Sequence, residues 1–259
     1  MNRTTKLITG ITFLMMVAAN ALANILPINQ MTTGAISDAY PNLFAPAGYT
    51  FLIWGVIYLL LGLFVVKALT YPKAYNDTRH GIELNKICLL LSFSNVANTF
   101  WILSWHYLKI GLSLALMFTI LALLIMIALK IKHNEFSKSE NWWINIPMSV
   151  YYGWITIAAI ANVVTYLVSV GWNGFGLSDE IWMVAILLVG VIICSVTMIR
   201  IRSIEYGLVA IWAYAGILVK HLSATGYAGT YVFTIAVLYT CVVLLALATL
   251  YTISQLFKT

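Results

Sequence analysis

The side chains able to make or break bonds are few and scattered in this chain. His80, His106, His133 and His221 lie in separate segments, near loops or span ends. They form no HExxH motif, and no carboxylate pair suited to acid–base work accompanies them. There is no phosphate-binding glycine loop, and Gly226 and Gly229 read as turn residues. Cys88, Cys194 and Cys241 fall inside apolar runs without a CxxC spacing, so neither a disulfide nor a metal site is implied. Catalysis is not expected, and no cofactor is required.

What remains is aromatic and amide side chains at helical spacing, and their chemistry is binding. Phe44–Gly62 reads FAPAGYTFLIWGVIYLLLG. Phe51, Trp54, Tyr58 and Gly62 would share one helical face, with Pro46 in the first turn, where its missing N–H costs nothing. Asn98, Trp101 and Trp105 form a second face, with Asn95 nearby. An amide inside a bilayer needs a partner, so Asn98 must point into a bundle. Pro147, Tyr151, Trp154, Ala158 and Asn162 form a third stripe. Small Ala158 leaves room beside Trp154, and Pro147 frees a backbone carbonyl and is expected to kink the helix. Three tryptophan faces with small or amide neighbours suggest a common interior.

The elements carrying these faces are membrane spans. Apolar residues make up 62% of the 259 and charged residues 8%, against about 25% charged in a soluble domain. Long apolar runs of the length needed to cross a ~30 Å hydrocarbon core divide the chain. Eight helices are expected, at about Leu7–Leu26, Pro46–Leu69, Ile87–Tyr107, Ile110–Ile131, Trp142–Val170, Ile181–Ile199, Tyr206–Val219 and Tyr231–Leu256. The first, whose apolar run continues to Pro27, carries Ala21-Leu22-Ala23 as a cleavage-like motif. Its length and the Asn20/Asn24 face favour an uncleaved packing helix. Trp142 and Trp143 are expected at the headgroup level.

The net charge of +6 is a topology signal rather than a nucleic-acid footprint. With eight spans, Arg3, Lys6, Lys67, Lys73, Arg79, Lys86, Lys130, Lys132, Lys138, Arg200, Arg202 and Lys258 fall on one side and only Lys109 and Lys220 on the other. The basic side is the cytoplasm, and both termini lie there. Glu205, Trp212, Gly216 and Lys220 share a face of the seventh span. Lys220 could serve as a retinal-type Schiff-base lysine, but no carboxylate stands one turn before it. Membrane-boundary markers are the stronger reading of Lys220 and Glu205.

The motifs together resemble the translocator protein family, also called TspO/MBR or tryptophan-rich sensory proteins, a five-helix membrane bundle. Pro46, Trp54 and Tyr58 keep the spacing of the family's second helix. Asn98-Thr99-Phe100-Trp101 matches its N-x-x-W, and Trp154, Ala158 and Asn162 match its W-x-x-x-A-x-x-x-N. The resemblance covers about residues 7–170. Ala45 replaces the first proline of the family's pair, Phe51 stands one place later, Gly48 replaces a tryptophan, and Pro147 lies about a turn further upstream. The resemblance implies binding of porphyrins, haem-like tetrapyrroles, sterols or similar hydrophobic ligands, in sensing, transport or slow tetrapyrrole chemistry.

The expected protein is therefore an all-α integral membrane receptor or carrier. Residues 1–170 would form the TspO-like bundle and residues 171–259 a three-helix membrane extension. Pro46, Phe51, Trp54, Tyr58, Asn98, Trp101, Trp154, Ala158 and Asn162 would line the ligand pocket. The expected partners are membrane lipid, a hydrophobic small molecule such as a tetrapyrrole, and a second copy of the chain in a homodimer; nucleic acid is not among them. A bacterial inner membrane fits the short basic loops. A secondary transporter and a ligand-free membrane scaffold are the alternatives. Against the transporter, no intramembrane Asp or Glu and no internal repeat is evident.

Overall fold

The computed structural model describes residues 2–26, 28–72, 78–134 and 136–257. Pro27, Lys73 and Lys258, and the side chain of Lys138, lie outside the described residues. The regular elements there are helical: α1 (Arg3–Ile25), α2 (Thr33–Asp38), α3 (Ile53–Thr70), α4 (Arg79–His106), α5 (Ile110–His133), α6 (Lys138–Ser169), α7 (Asp179–Ile201), α8 (Ile204–Leu222) and α9 (Val232–Leu256). Asn2, Thr78, Ser178 and Ser203 cap α1, α4, α7 and α8, each side chain accepting from a first-turn amide.

This is an all-α membrane protein. Among the described residues, seven stretches are long and apolar enough to cross a bilayer: α1, Gly48–Thr70, α4, α5, Ser139–Ser169, α7 and α9. The remaining expected span, Tyr206–Val219, is the core of α8. At 19 residues α8 is about 28 Å long, but Glu205, Lys220 and His221 near its ends lower its apolar character. It still runs the depth of its neighbours. Gly207 near its start faces Met198 and Thr249, late in α7 and α9. His221 near its end packs on Tyr231, just before α9.

The chain forms two compact units, Met1–Thr33 with Trp54–Tyr152, and Gly34–Ile53 with Gly153–Thr259. Their limits differ from a division at residue 170. In the first unit α4 is the inner helix, packed between α1 and α5. It buries Ser92, Ser94, Asn95, Asn98, Thr99 and Ser104 and exposes Phe93 and Phe100. That inverts a soluble helix, because in lipid the polar face is the one that must turn inward. Thr9 on α1 bonds Ser92 Oγ at 3.2 Å. Lys6 Nζ donates to the carbonyls of Leu69 and Tyr71 at 3.0 and 2.6 Å, closing the C-terminal end of α3. Trp142 is exposed, as a headgroup residue would be, but Trp143 is buried against Phe64, with ring centroids 5.8 Å apart. Neighbours on a helix are turned by about 100° and do not share a face.

In the second unit α8 is the inner helix, packed on α7 and α9. Along α8 lies a strap formed by residues 38–50. Ala47 N–H donates to Gly216 O at 3.0 Å, and Trp212 Nε1 donates to Thr50 O at 3.0 Å. Tyr49 stands edge-on to Trp212 at 5.6 Å. Lys220 Nζ pairs with Asp38 Oδ1 at 3.2 Å, His221 Nε2 meets Leu43 O at 2.9 Å, and Tyr227 OH donates to Asn42 O at 2.7 Å.

This strap corrects the expected start of the second span. Pro46 is not in a first helical turn. Ala47 is extended (φ −60°, ψ 144°), Gly48–Leu52 is a 3-10 turn, and the α-helix begins only at Ile53. The Ala47 amide, which no helical turn would use at this position, is taken by Gly216 O of α8. The bond falls on the face of Trp212, Gly216 and Lys220, which the sequence marked without supplying it a partner.

Candidate functional site

The expected binding residues fall into two groups, one in each unit. In the first unit, Trp54 on α3 stacks on Tyr58 one turn later, with centroids 5.5 Å apart and planes 23° apart. It also stacks on Trp101 of α4 at 5.9 Å and 30°. Trp101 continues to Trp105 at 6.2 Å and 26°. Four rings thus form one near-parallel ladder, and Tyr151 of α6 is tilted against Trp54 at 6.1 Å. Offset stacking of this kind adds about 0.5–1.5 kcal/mol per pair beyond burial. Trp101 and Trp105 are each only 4% exposed, whereas Trp54 and Tyr58 are half-buried.

A polar edge accompanies the ladder. Asn20 Nδ2 donates to Asn98 Oδ1 at 2.8 Å, and Asn98 Nδ2 donates to Tyr151 OH at 3.2 Å. Three helices are tied through one amide. Asn98 is fully buried, so its inward orientation is as the bilayer argument requires. Asn20 stands before the Ala21-Leu22-Ala23 motif and is built into this network.

In the second unit, Phe51 stands edge-on to Trp154 at 5.9 Å and 84°. Trp154 and Asn162 are buried, while Ala158 and Pro46 are half-buried. Asn162 Nδ2 donates to Ala158 O at 2.9 Å, within its own helix. Phe51 lies in the 3-10 turn and meets Trp154, while Trp54 in α3 belongs to the ladder.

Three of the histidines make structural contacts. His106 is buried, with Nε2 3.1 Å from Thr33 Oγ1 and Nδ1 3.1 Å from Ile28 O. His221 holds the strap, and His80 Nδ1 lies 3.5 Å from Glu140 Oε2. Sequence reasoning left Trp105, Tyr151 and Asn20 outside the site, although Trp105 and Tyr151 were on the marked stripes. It had no signal for the strap, whose contacts join residues some 160 to 185 positions apart.

A family model described as TSPO-like protein matches residues 6–252. The match runs through α7, α8 and most of α9, helices that lie beyond the five-helix resemblance. No curated protein and no solved structure matches the chain.

Proposed function

The chain belongs to the TSPO-like family, and on that premise we propose that it is a membrane receptor or carrier for a planar hydrophobic ligand such as a porphyrin or a sterol-like molecule. The observation that carries this reading is the Trp54–Trp101–Trp105 ladder with the Asn98–Tyr151 edge beside it. A planar ligand would be recognised by the ring faces, entering at half-buried Trp54 and Tyr58, with Asn98 orienting its polar edge. Within the second unit, Phe51, Trp154, Ala158, Asn162 and Pro46 are proposed as ligand contacts of their own. The role is binding, not catalysis, and needs no cofactor. Membrane lipid and the hydrophobic ligand are the proposed partners, with a second copy of the chain in a homodimer; nucleic acid is not one. The proposed location is a bacterial inner membrane with both termini cytoplasmic, from the distribution of Lys and Arg.

Protoporphyrin should quench tryptophan fluorescence of the purified protein saturably. Trp54→Ala and Trp154→Ala should each weaken that quenching. Unchanged quenching in both variants would remove the proposal. A second reading, a scaffold whose tryptophans only pack helices, is favoured by the near-complete burial of Trp101 and Trp105. It requires the absence of any saturable ligand signal.

A further inference from the structure

The second unit contains a cavity of about 110 Å³ that none of the expected binding residues lines. Its walls come from the strap (Asn42, Phe44), α6 (Leu167) and α7 (Met183), and from Trp172 and Trp182. The two indoles are 4.8 Å apart with planes at 62°, so they present a corner rather than a stack. Trp182 is fixed in place: its Nε1 donates to Gly174 O at 2.7 Å. Gly174 has φ +63°, and a Cβ there would press on the Trp182 ring at 3.0–3.1 Å. The strap wall is anchored through Tyr227 to Asn42 O and His221 to Leu43 O.

Asp179 also lines the cavity, three residues before Trp182 on α7. Its neighbours' charges are already engaged. Glu180 Oε1 accepts from Thr234 N and Oγ1, and Asp38 pairs with Lys220. Asp179 makes no hydrogen bond or ion pair among the described residues. Residues 34–53, 170–180 and 220–232 hold Asp38, Asp179 and Glu180 against Lys220 as the one Lys or Arg. An apolar chamber, an indole corner and an uncommitted carboxylate together match a cation with an apolar body, since ring faces attract positive charge. The volume is below the roughly 300 Å³ of ordinary ligand clefts, which favours a small, single-ring molecule over a tetrapyrrole.

We propose that this cavity is a second binding site, for a compact amphiphilic cation: one apolar ring bearing an ammonium group. The ring would pack between Phe44, Leu167 and Met183, with the ammonium at Trp172, Trp182 and Asp179. The proposal does not rest on the tetrapyrrole reading, and it is tested with different probes. Full-length protein in nanodiscs of uncharged lipid would be titrated with phenyltrimethylammonium and with its neutral isostere tert-butylbenzene, following tryptophan fluorescence and heat. Saturable binding of the cation is expected, stronger than that of the isostere. Asp179→Asn should weaken it about five- to tenfold and Trp172→Leu at least as much. Asp179 is exposed, so its variant should still fold, with at most a small loss at the α7 N-terminus, and decides the matter if Trp172→Leu does not fold. The proposal is overturned if the cation gives no saturable signal, if both probes bind equally, as in a slot for lipid chains, or if Asp179→Asn leaves the affinity unchanged.

Discussion

Asn98 shows what one amide is worth in a bilayer-spanning bundle. It has no water to fall back on, and it uses both ends of its side chain, one on Asn20 and one on Tyr151. At ~0.6 kcal/mol for each interhelical bond, Asn98→Leu should lower stability by about 1 kcal/mol. Reversible unfolding in mixed micelles would measure this. Asn20 also donates to Met16 O at 2.9 Å, so adding Asn20→Leu to Asn98→Leu should cost little more. Gly216 is governed by space instead. A Cβ there would overlap the side chain of Thr50, a short β-branched residue with little freedom to retreat, and would push against the Ala47–Gly216 bond. The propensity gain of about 1 kcal/mol from Gly to Ala is outweighed by overpacking and a lost hydrogen bond. Gly216→Ala should therefore be destabilising by about 1–3 kcal/mol. Thr50 Oγ1 has no hydrogen-bond partner, so Thr50→Ala in the same chain should recover much of that loss. If the double variant is no more stable than Gly216→Ala, the overlap is not the cause.

The element that gains most meaning is the strap on α8. Its attachment uses an ion pair, three aromatic donors and a backbone amide. The exposed Lys220–Asp38 pair contributes little; the buried carbonyl acceptors contribute more. Burial pushes the Tyr227 hydroxyl above its ordinary value, and Tyr231 and Asp38 add to the shift. A group whose value is raised on folding stabilises fully below its unfolded value, near 10, and loses that contribution as pH rises through its folded value. Thermal scans at rising pH should show the advantage of wild type over Tyr227→Phe, about 1 kcal/mol at neutral pH, shrinking above roughly pH 10. A constant advantage would mean that the hydroxyl does not donate to Asn42 O.

At the scale of the molecule, the helices turn polar and small residues inward, most heavily on α4 and α8, and turn Leu, Ile, Val and Phe outward. Lipid as solvent dictates this arrangement. The topology follows from whether α8 crosses. Its 19 residues run from the end where α7 finishes to the end where α9 starts; if α8 crosses with the seven other stretches, the count of crossings is even. A reporter active only outside the cytoplasm should be silent when fused at the C-terminus. A fusion after Leu222 should be active. Activity at the C-terminus would mean an odd number of crossings.

Composition and the length of apolar runs determined the class and the approximate spans, because a bilayer leaves few ways to satisfy a backbone and turns polar faces inward; the family resemblance came from motif spacings on three helices. Helical spacing alone also marked Asn98, Trp101 and Trp54 as neighbours in an interior. Periodicity is blind to long-range partners. It could not see that residues 38–50 belong on α8, that the Ala47 amide is taken by Gly216 O, or that the α-helix begins only at Ile53. Nor could it tell that Trp143 turns inward while Trp142 faces out, or that Lys220 meets Asp38. Those outcomes depend on which surfaces fit and which donors find acceptors across 160 residues or more of intervening chain, and only the folded packing decides them.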